Sequence, residues 1–590
     1  MEIADLLQQA EQYLAEDKYD RAIDLYERCI EAAPNVKSNY WKLGLALLLE
    51  GREEEAQTCW FSAVFEDDTQ EIEQLTKELI NFLERQGIEL LERGKYTQAE
   101  KIYLQILEQD SIDALTYKNL GNALYNQGKL EEAICFYQQG LELEPNDAIT
   151  YYHLGNAFHQ LNRLEEAIAH YQQSLVLAPN SVTVLNNLGN TWQKQGNFEE
   201  ALACYQQSLG LDPNDAFTYN NLGSIFHTQG KLEEALAYFE QGLILEPNNV
   251  EALTNLAVFY QEQRQYEKAL TYCDRAIEID PNYVNANWNR SLILLCLGNF
   301  QRGFVEYECR WQRKESPPRP LPKPVWDGAN LEGKTILLQA EQGIGDTIQF
   351  IRYVPLVIER GGHIIVECHP PLVRLLKTVA GVEKVVAIGE ILPEFDVYIP
   401  LLSLARILGT TLETIPAAIP YIYPLESVSL KLDVPAKSYL KVGLVWAGNP
   451  LNQNDRNRSS SLNHFLPLFH IPGIAFYSLQ KGSKVAEINQ IAELVPLQNL
   501  SSQLNDFADT AAVIDQLDLV ITVDTAVAHL AGAMGKPVWV LLSYSADWRW
   551  LTEREDSPWY PSVRLFRQNR PGDWQELLAR VAEALKDLIN

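Results

Sequence analysis

The stretch Asp518-Leu-Val-Ile-Thr-Val-Asp524-Thr-Ala-Val-Ala-His529-Leu-Ala-Gly-Ala-Met-Gly535-Lys-Pro537-Val-Trp-Val-Leu-Leu542 decides how the C-terminal part of the chain folds. Leu519 to Val523 is a short β-branched apolar run, the pattern of a buried strand. Asp524 and Thr525 follow, and both are good helix N-caps. Ala526 to Met534 is small and helix-favouring, and Gly535 and Pro537 stop the helix. Val538 to Leu542 is a second buried strand, so the stretch reads as a βαβ unit. Free N–H groups at such a helix start form an anion site. The same residues also suit an ordinary buried βαβ unit in which Asp524 is only a cap.

Working outward, the preceding sequence alternates strands and helices back to about residue 334. Strands are expected at Thr335–Ala340, His363–Cys368, Lys384–Ile388, Tyr439–Ala447, Ala475–Leu479 and near Glu493–Pro496. Helices are expected from Thr347 to about Glu359, over Pro371–Val379 and Leu401–Leu408, and over a closing segment with Leu577, Leu578, Val581, Leu585 and Leu588 on one face. This alternation predicts two Rossmann-like halves, 334–437 and 438–590, divided by a proline-rich crossing. The first loop is Gly343-x-Gly345-Asp346, with no third glycine, so it is not a dinucleotide fingerprint, and a P-loop is absent.

Residues 1–313 are a different polypeptide. Pro145, Pro179, Pro213, Pro247 and Pro281 recur every 34 residues, as do Ala133, Ala167, Ala201, Ala235 and Ala269. Gly121, Gly155, Gly189 and Gly223 keep the step, with Tyr137, Tyr171, Tyr205 and Phe239 as an aromatic column. This is the tetratricopeptide period: helical hairpins stacked into an α-solenoid. About eight full repeats and a degenerate ninth are expected, with extra residues near Asp67–Ile80. A Pro/Gly-rich linker over 314–333 ends the array. Asn119, Asn187, Asn221, Asn255 and Asn289 share one column and Asn122, Asn156 and Asn190 another, predicting carboxamides along a concave groove suited to peptide units. His153, His159, His170 and His227 show no metal-ligand spacing.

The chain carries a formal charge of −31, about −26 of it in residues 1–313. Such a surface repels nucleic acid and anionic membrane. No apolar run is long enough to span a bilayer, and the N-terminus reads as neither a signal nor a transit peptide. The eight cysteines are scattered singly, so neither a disulfide framework nor a zinc site is expected, and the default is a reduced, cytoplasmic protein.

Asp524-Thr-Ala-Val-Ala-His529 with Gly535-Lys-Pro537 resembles the diphosphate-binding motif of heptosyltransferase-like (family 9-like) glycosyltransferases. Glu341–Phe350 with Arg352-Tyr353, Trp446–Pro450 with Asp455, Arg458 and Ser459, Ser478–Gly482, and Asp547–Trp550 are similar to motifs of the members fused to tetratricopeptide repeats. The likeness runs from about Trp326 to the C-terminus, and the array is similar to that of O-GlcNAc transferase. The resemblance implies a GT-B fold and inverting, metal-independent transfer of a sugar from a nucleotide-diphosphate donor. That donor is a substrate, and no cofactor is implied. It places Asp346 as the base. It assigns donor binding to Gly343, Gly345, Arg458, Gln480, Lys481, Asp524, Thr525, Ala526, Val527, Ala528 and His529, the last with no catalytic role. Asp346 has a plainer reading as a helix cap, and Arg458 as a partner of Asp455. The function expected is glycosyl transfer to an acceptor, a protein, recruited by the array. The alternatives are an inactive scaffold that senses nucleotide sugar, and a glycan or lipid-glycan assembly enzyme docked through its repeats.

Overall fold

The structure, a computed structural model, describes residues 3–63, 69–108, 113–313, 319–428, 430–435, 438–452, 454–491 and 495–589. The chain forms two compact units, Met1–Leu245 and Glu246–Asn590. The division falls inside the repeat array, not at the proline-rich linker, because the last repeats share a core with the α/β region.

The first unit is a row of helical hairpins: Ile3–Ala15 with Tyr19–Ala32, Lys37–Glu50 with Glu53–Ser62, Thr69–Glu92 with Tyr96–Glu108, Ala114–Asn126 with Leu130–Leu143, Ala148–Gln160 with Leu164–Leu177, Val182–Gln195 with Phe198–Leu211, and Ala216–Thr228 with Leu232–Leu245. The expected insertion falls partly on residues 64–68, outside the described residues, and partly on the long Thr69–Glu92 helix. First helices start on a column of caps: Asp113, Asp147, Ser181 and Asp215 each accept from a backbone N–H two or three residues on, which satisfies an otherwise orphaned donor. The glycine column exists for lack of space. A Cβ at Gly155 or Gly189 would come within 2.5 Å of the Tyr171 or Tyr205 ring. The buried tyrosines in turn donate to the second asparagine column, Tyr137 to Asn122 Oδ1 at 2.8 Å, Tyr171 to Asn156 at 2.6 Å, and Tyr205 to Asn190. That column therefore serves packing: it satisfies hydroxyls that burial would otherwise leave unpaired.

The second unit opens with two more hairpins, Val250–Glu262 with Tyr266–Ile279 and Val284–Cys296 with Phe300–Glu306, closed by a 3₁₀ turn at Tyr307–Gln312. Residues 314–318 of the expected linker lie outside the described residues. Beyond them Trp326 is buried, and its backbone N–H donates to Tyr398 O at 2.8 Å. Two parallel sheets follow. The first has order β3-β2-β1-β4, from Thr335–Gln339 (β1), His363–Cys368 (β2), Val382–Ala387 (β3) and Val397–Pro400 (β4). The second has order β10-β9-β8-β5-β6-β7, from Leu440–Val445 (β5), Ile474–Ser478 (β6), Leu497–Asn499 (β7), Leu519–Val523 (β8), Val538–Leu542 (β9) and Val563–Arg567 (β10). The helix Trp574–Ile589 closes the fold. The architecture is an α-solenoid followed by a GT-B-like pair of Rossmann-like halves.

Several local expectations are corrected. The strand placed near Glu493–Pro496 is β7, further on, and residues 492–494 lie outside the described residues. β4 and β10 were not anticipated. The single helix from Thr347 to Glu359 is instead Ile344–Phe350, a 3₁₀ turn at Ile351–Tyr353, and Val354–Ile358. Pro355 explains the break, since it lacks an N–H and its ring crowds the preceding turn. The helices expected over 371–379 and 401–408 form but are shorter, a 3₁₀ turn at Pro370–Leu372 leading into Val373–Leu376 and one at Leu401–Ser403 leading into Leu404–Ile407.

The packing at the glycine column yields a first prediction. Gly189→Ala forces a methyl group into a ring held by its hydroxyl to Asn190, a strain of about 1–3 kcal/mol. Hydrogen exchange should show reduced protection in Val182–Gln195 and Phe198–Leu211, with the sheets unaffected.

Candidate active site

In an open parallel sheet, ligands bind beyond the carboxyl ends of the strands where strand order reverses. Here β1 lies between β2 and β4, and β5 between β6 and β8. The loops leaving β1, β5 and β8 therefore converge. They line one cavity of about 1170 Å³, with Gly343–Asp346 from the first half, Gly448, Arg458, Gln480, Lys481 and Asp524–Val527 from the second, and Asp547 and Arg549 beside them.

Asp346 sits at the third position of the Ile344–Phe350 helix. Its Oδ2 accepts the Gly343 N–H at 2.8 Å, so it ties down the helix start from within the first turn, while the N-cap is Gly343 and not Asp346. Its Oδ1 accepts from Arg549 Nη2 at 2.5 Å. Arg549 is buried and fully engaged: Nη1 reaches Asp547 at 2.8 Å, Nε reaches Gln349 Oε1 at 2.9 Å, and the guanidinium lies over Trp548. Burial opposes its charge, but Asp346 and Asp547 outweigh that and hold the guanidinium firmly protonated. Sequence reasoning noted the Asp547–Trp550 motif without giving Arg549 a role. A charged residue between two tryptophans, where burial is expected, was the available signal.

Gly345 is a close-approach glycine. A Cβ there would stand 2.9 Å from His529 Cδ2 and 3.6 Å from Ala526 Cα. The first loop of one half thus rests on the Ala526–Ala533 helix of the other. His529 is buried, stacks on Trp550, and its Nδ1 pairs with the Tyr560 hydroxyl at 2.9 Å. Burial, reinforced by Arg549, Arg352 and Arg458, keeps its imidazole uncharged.

The N-cap of the Ala526–Ala533 helix is Thr525, whose hydroxyl accepts the Val527 N–H at 3.3 Å. This corrects the reading of Asp524 as cap. Asp524 instead lines the cavity, and burial with the nearby Asp547, opposed by Arg458, raises its carboxyl to about 6. Ala526 lines the cavity at the helix start, and Ala528 is buried in the packing beneath it.

Arg458 Nε lies 3.5 Å from Asp455 Oδ1, and this buried nitrogen has no hydrogen-bond partner among the described residues. Its guanidinium lines the cavity. Gln480 is committed to structure: Oε1 accepts from the Trp446 and Ala447 N–H groups at 3.0 Å, and Nε2 donates to the Ala447 and Lys481 carbonyls at 2.9 Å. It fixes the loop after β5 and leaves no amide group for a ligand. Lys481 reaches Ser501 O at 2.8 Å.

The asparagine column does not form a uniform solvent-facing ladder. Asn221 is buried, and Asn187 donates to Asn156 Oδ1 at 3.0 Å. Asn119, Asn255 and Asn289 are half-buried.

The terminal repeat enters the site. Arg310 is 1% exposed and bonds Glu341 at 3.0 Å, Glu308 at 2.5 Å and Ser403 Oγ at 2.7 Å. Tyr307 donates to Gln342 Oε1 at 3.1 Å. Burial opposes the Arg310 charge, but Glu341 and Glu308 together outweigh it. For Glu341 burial wins over Arg310, and its carboxyl rises from 4.5 to about 7. A carboxyl raised by folding stabilises the fold fully below its unfolded value, and that stabilisation is lost as pH climbs through the folded value. Relative to Glu341→Gln, wild-type stability should therefore fall by about 3 kcal/mol between pH 4.5 and 7, measured by denaturant unfolding at each pH.

Residues 473–573 match the family described as glycosyltransferase family 9 (heptosyltransferase). Tetratricopeptide repeat families match within 7–67 and across 121–283. Protein FlbA of Caulobacter vibrioides is 30% identical over 331 residues, 50% of this chain and 54% of FlbA, so the chain spans about half the length of that curated relative. Among solved structures, MamA is 24% identical over 27% of this chain and 94% of its own, with a TM-score of 0.26. YrrB, described as a TPR protein with an unusual peptide-binding site, is 29% identical over 31% of this chain and 95% of its own, with a TM-score of 0.25. Among the described residues no helix is long and apolar enough to cross a membrane.

Proposed function

We propose that this chain, a fusion of tetratricopeptide repeats to a glycosyltransferase family 9 region, transfers a sugar with inversion from a nucleotide-diphosphate donor to an acceptor recruited by its repeats, a protein. The observation that carries the reading is the shared cavity, which sets Asp346 of one half beside the Thr525–Val527 helix start of the other. The backbone N–H groups there and Arg458 receive the diphosphate and stabilise the charge that develops as it leaves. No metal is invoked. Asp346 acts as general base: each carboxylate oxygen keeps a lone pair beyond its bonds to Arg549 and Gly343, and that is the position for an acceptor hydroxyl. Eight free thiols fit a reducing, cytoplasmic setting.

A second reading, a nucleotide-sugar sensor without turnover, is favoured by one observation: both oxygens of Asp346 are engaged by Arg549 and Gly343. The two readings separate on Asp346→Asn. Under glycosyl transfer, the variant binds nucleotide and loses on the order of 10²-fold or more in transfer rate. Binding without turnover in the wild type, across UDP, GDP, ADP and dTDP sugars, selects the sensor.

Arg458→Ala tests the diphosphate site. Loss of a charge-assisted bond should weaken nucleotide diphosphate affinity by about 1–3 kcal/mol. Calorimetry with UDP, GDP and ADP reads this directly, and unchanged affinity removes Arg458 from the site.

A further inference from the structure

The cavity has a wall that neither Rossmann-like half supplies. Trp288 and Leu292, one turn apart on the Val284–Cys296 helix, line it together with Tyr307, Arg310 and Arg313. All five belong to the terminal repeat. Trp288 and Leu292 are half-buried, so each keeps a face toward the cavity. Behind them the wall is rigid. Tyr307 packs on Trp288 at 4.9 Å, Arg313 lies over the indole at 4.6 Å, and Phe300 and Phe304 pack against Trp548 and Trp559 in the core that both halves share.

We propose that this wall is the acceptor subsite, and that its occupant is a polypeptide segment with an apolar side chain close to the hydroxyl that receives the sugar. The inference rests on the reading of the cavity as a glycosyl-transfer site. Three observations point to it. First, Asp346 and the Thr525–Val527 helix start line the same cavity as Trp288, so an acceptor resting on that wall enters the cavity that holds both the base and the donor site. Second, two of the three polar side chains of the wall are engaged away from it, the Tyr307 hydroxyl with Gln342 and Arg310 with Glu341, Glu308 and Ser403, while Arg313 lies over the Trp288 indole. A sugar acceptor needs hydrogen-bond partners for its hydroxyls, whereas an aliphatic or aromatic side chain needs only the indole face and Leu292. Third, the formal charge of −31 on the chain disfavours approach of a phosphorylated lipid-glycan relative to an uncharged or basic polypeptide.

The reaction balances without a further reactant. Asp346 takes the proton of the acceptor hydroxyl, the oxygen forms the new bond to the anomeric carbon, and the carbon–oxygen bond to the diphosphate breaks with its electron pair on the leaving nucleotide.

The test uses the full chain and a library of Ser- and Thr-containing peptides varied at the flanking positions, with a set of oligosaccharides in parallel. Transfer is followed with labelled UDP, GDP, ADP and dTDP sugars. Peptide binding is read separately by fluorescence anisotropy in the presence of each nucleotide diphosphate. The wild type should select peptides with an apolar residue near the hydroxyl. Trp288→Ala should abolish that selection and weaken peptide binding at least tenfold, while Trp288→Phe keeps most of both. Retained selection and affinity in Trp288→Ala overturns the subsite, as does modification of oligosaccharides alone or failure of every peptide to bind. Selective peptide binding lost in Trp288→Ala, with no turnover from any donor, upholds the subsite and overturns glycosyl transfer instead.

Discussion

Arg310 is a guanidinium almost wholly removed from water, and the cavity-bearing end of the second unit is assembled around it. Left alone, such a charge would cost several kcal/mol. It is held instead by Glu341 at the exit of β1, by Glu308 of its own repeat and by Ser403 after β4. Two of those three groups belong to the first Rossmann-like half. The terminal repeat is therefore fastened to the loop that carries Gly343 and Asp346. The same bonds set where that loop begins, and the aromatic packing of Phe300, Phe304 and Tyr307 against Trp548 fixes the other side.

A second charged contact performs the equivalent task between the halves. Arg549 joins Asp346 and Gln349 of the first half to Asp547 of the second. Arg352 does the same with uncharged partners, lying over Tyr560 while donating to the Trp559 carbonyl and the Tyr421 hydroxyl. Buried arginines rather than lysines suit these places, because a planar guanidinium serves several acceptors and an aromatic face at once. Gly345 adds the shape requirement, since any side chain there would strike His529.

Much of this was legible in the sequence, for reasons that differ by element. The solenoid was legible because one contact, glycine against an aromatic ring 16 residues later, is written at a constant spacing. β8, the Ala526–Ala533 helix and β9 were legible because a buried βαβ unit leaves continuous apolar runs with polar and glycine punctuation. β4 was missed because it is four residues long and ends in proline, and β10 because Arg564 and Arg567 break up its apolar run. Asp524 was misread as a cap because both it and Thr525 are good cap residues, and only backbone geometry distinguishes them. Gln480 was read as a ligand-facing residue, and three of its four internal bonds depend on a loop more than thirty residues away. Arg549 and Arg310 act through partners distant in sequence, 203 residues away for Asp346 and 31 for Glu341, so no local pattern announces them.

The regularity of the glycine–aromatic contact has a genetic consequence. Between Gly121 and Phe239 every hairpin is closed on itself by the same glycine–aromatic pair, so an unequal crossover that removes or adds 34 residues there removes or adds a whole self-closed unit. Copy number in that stretch is free to drift without a folding defect. The terminal repeat has no such freedom, because Phe300, Phe304, Tyr307 and Arg310 answer to partners in the sheets. Length variation among descendants of this gene should accumulate on the far side of the array and stop at the repeat that touches the cavity.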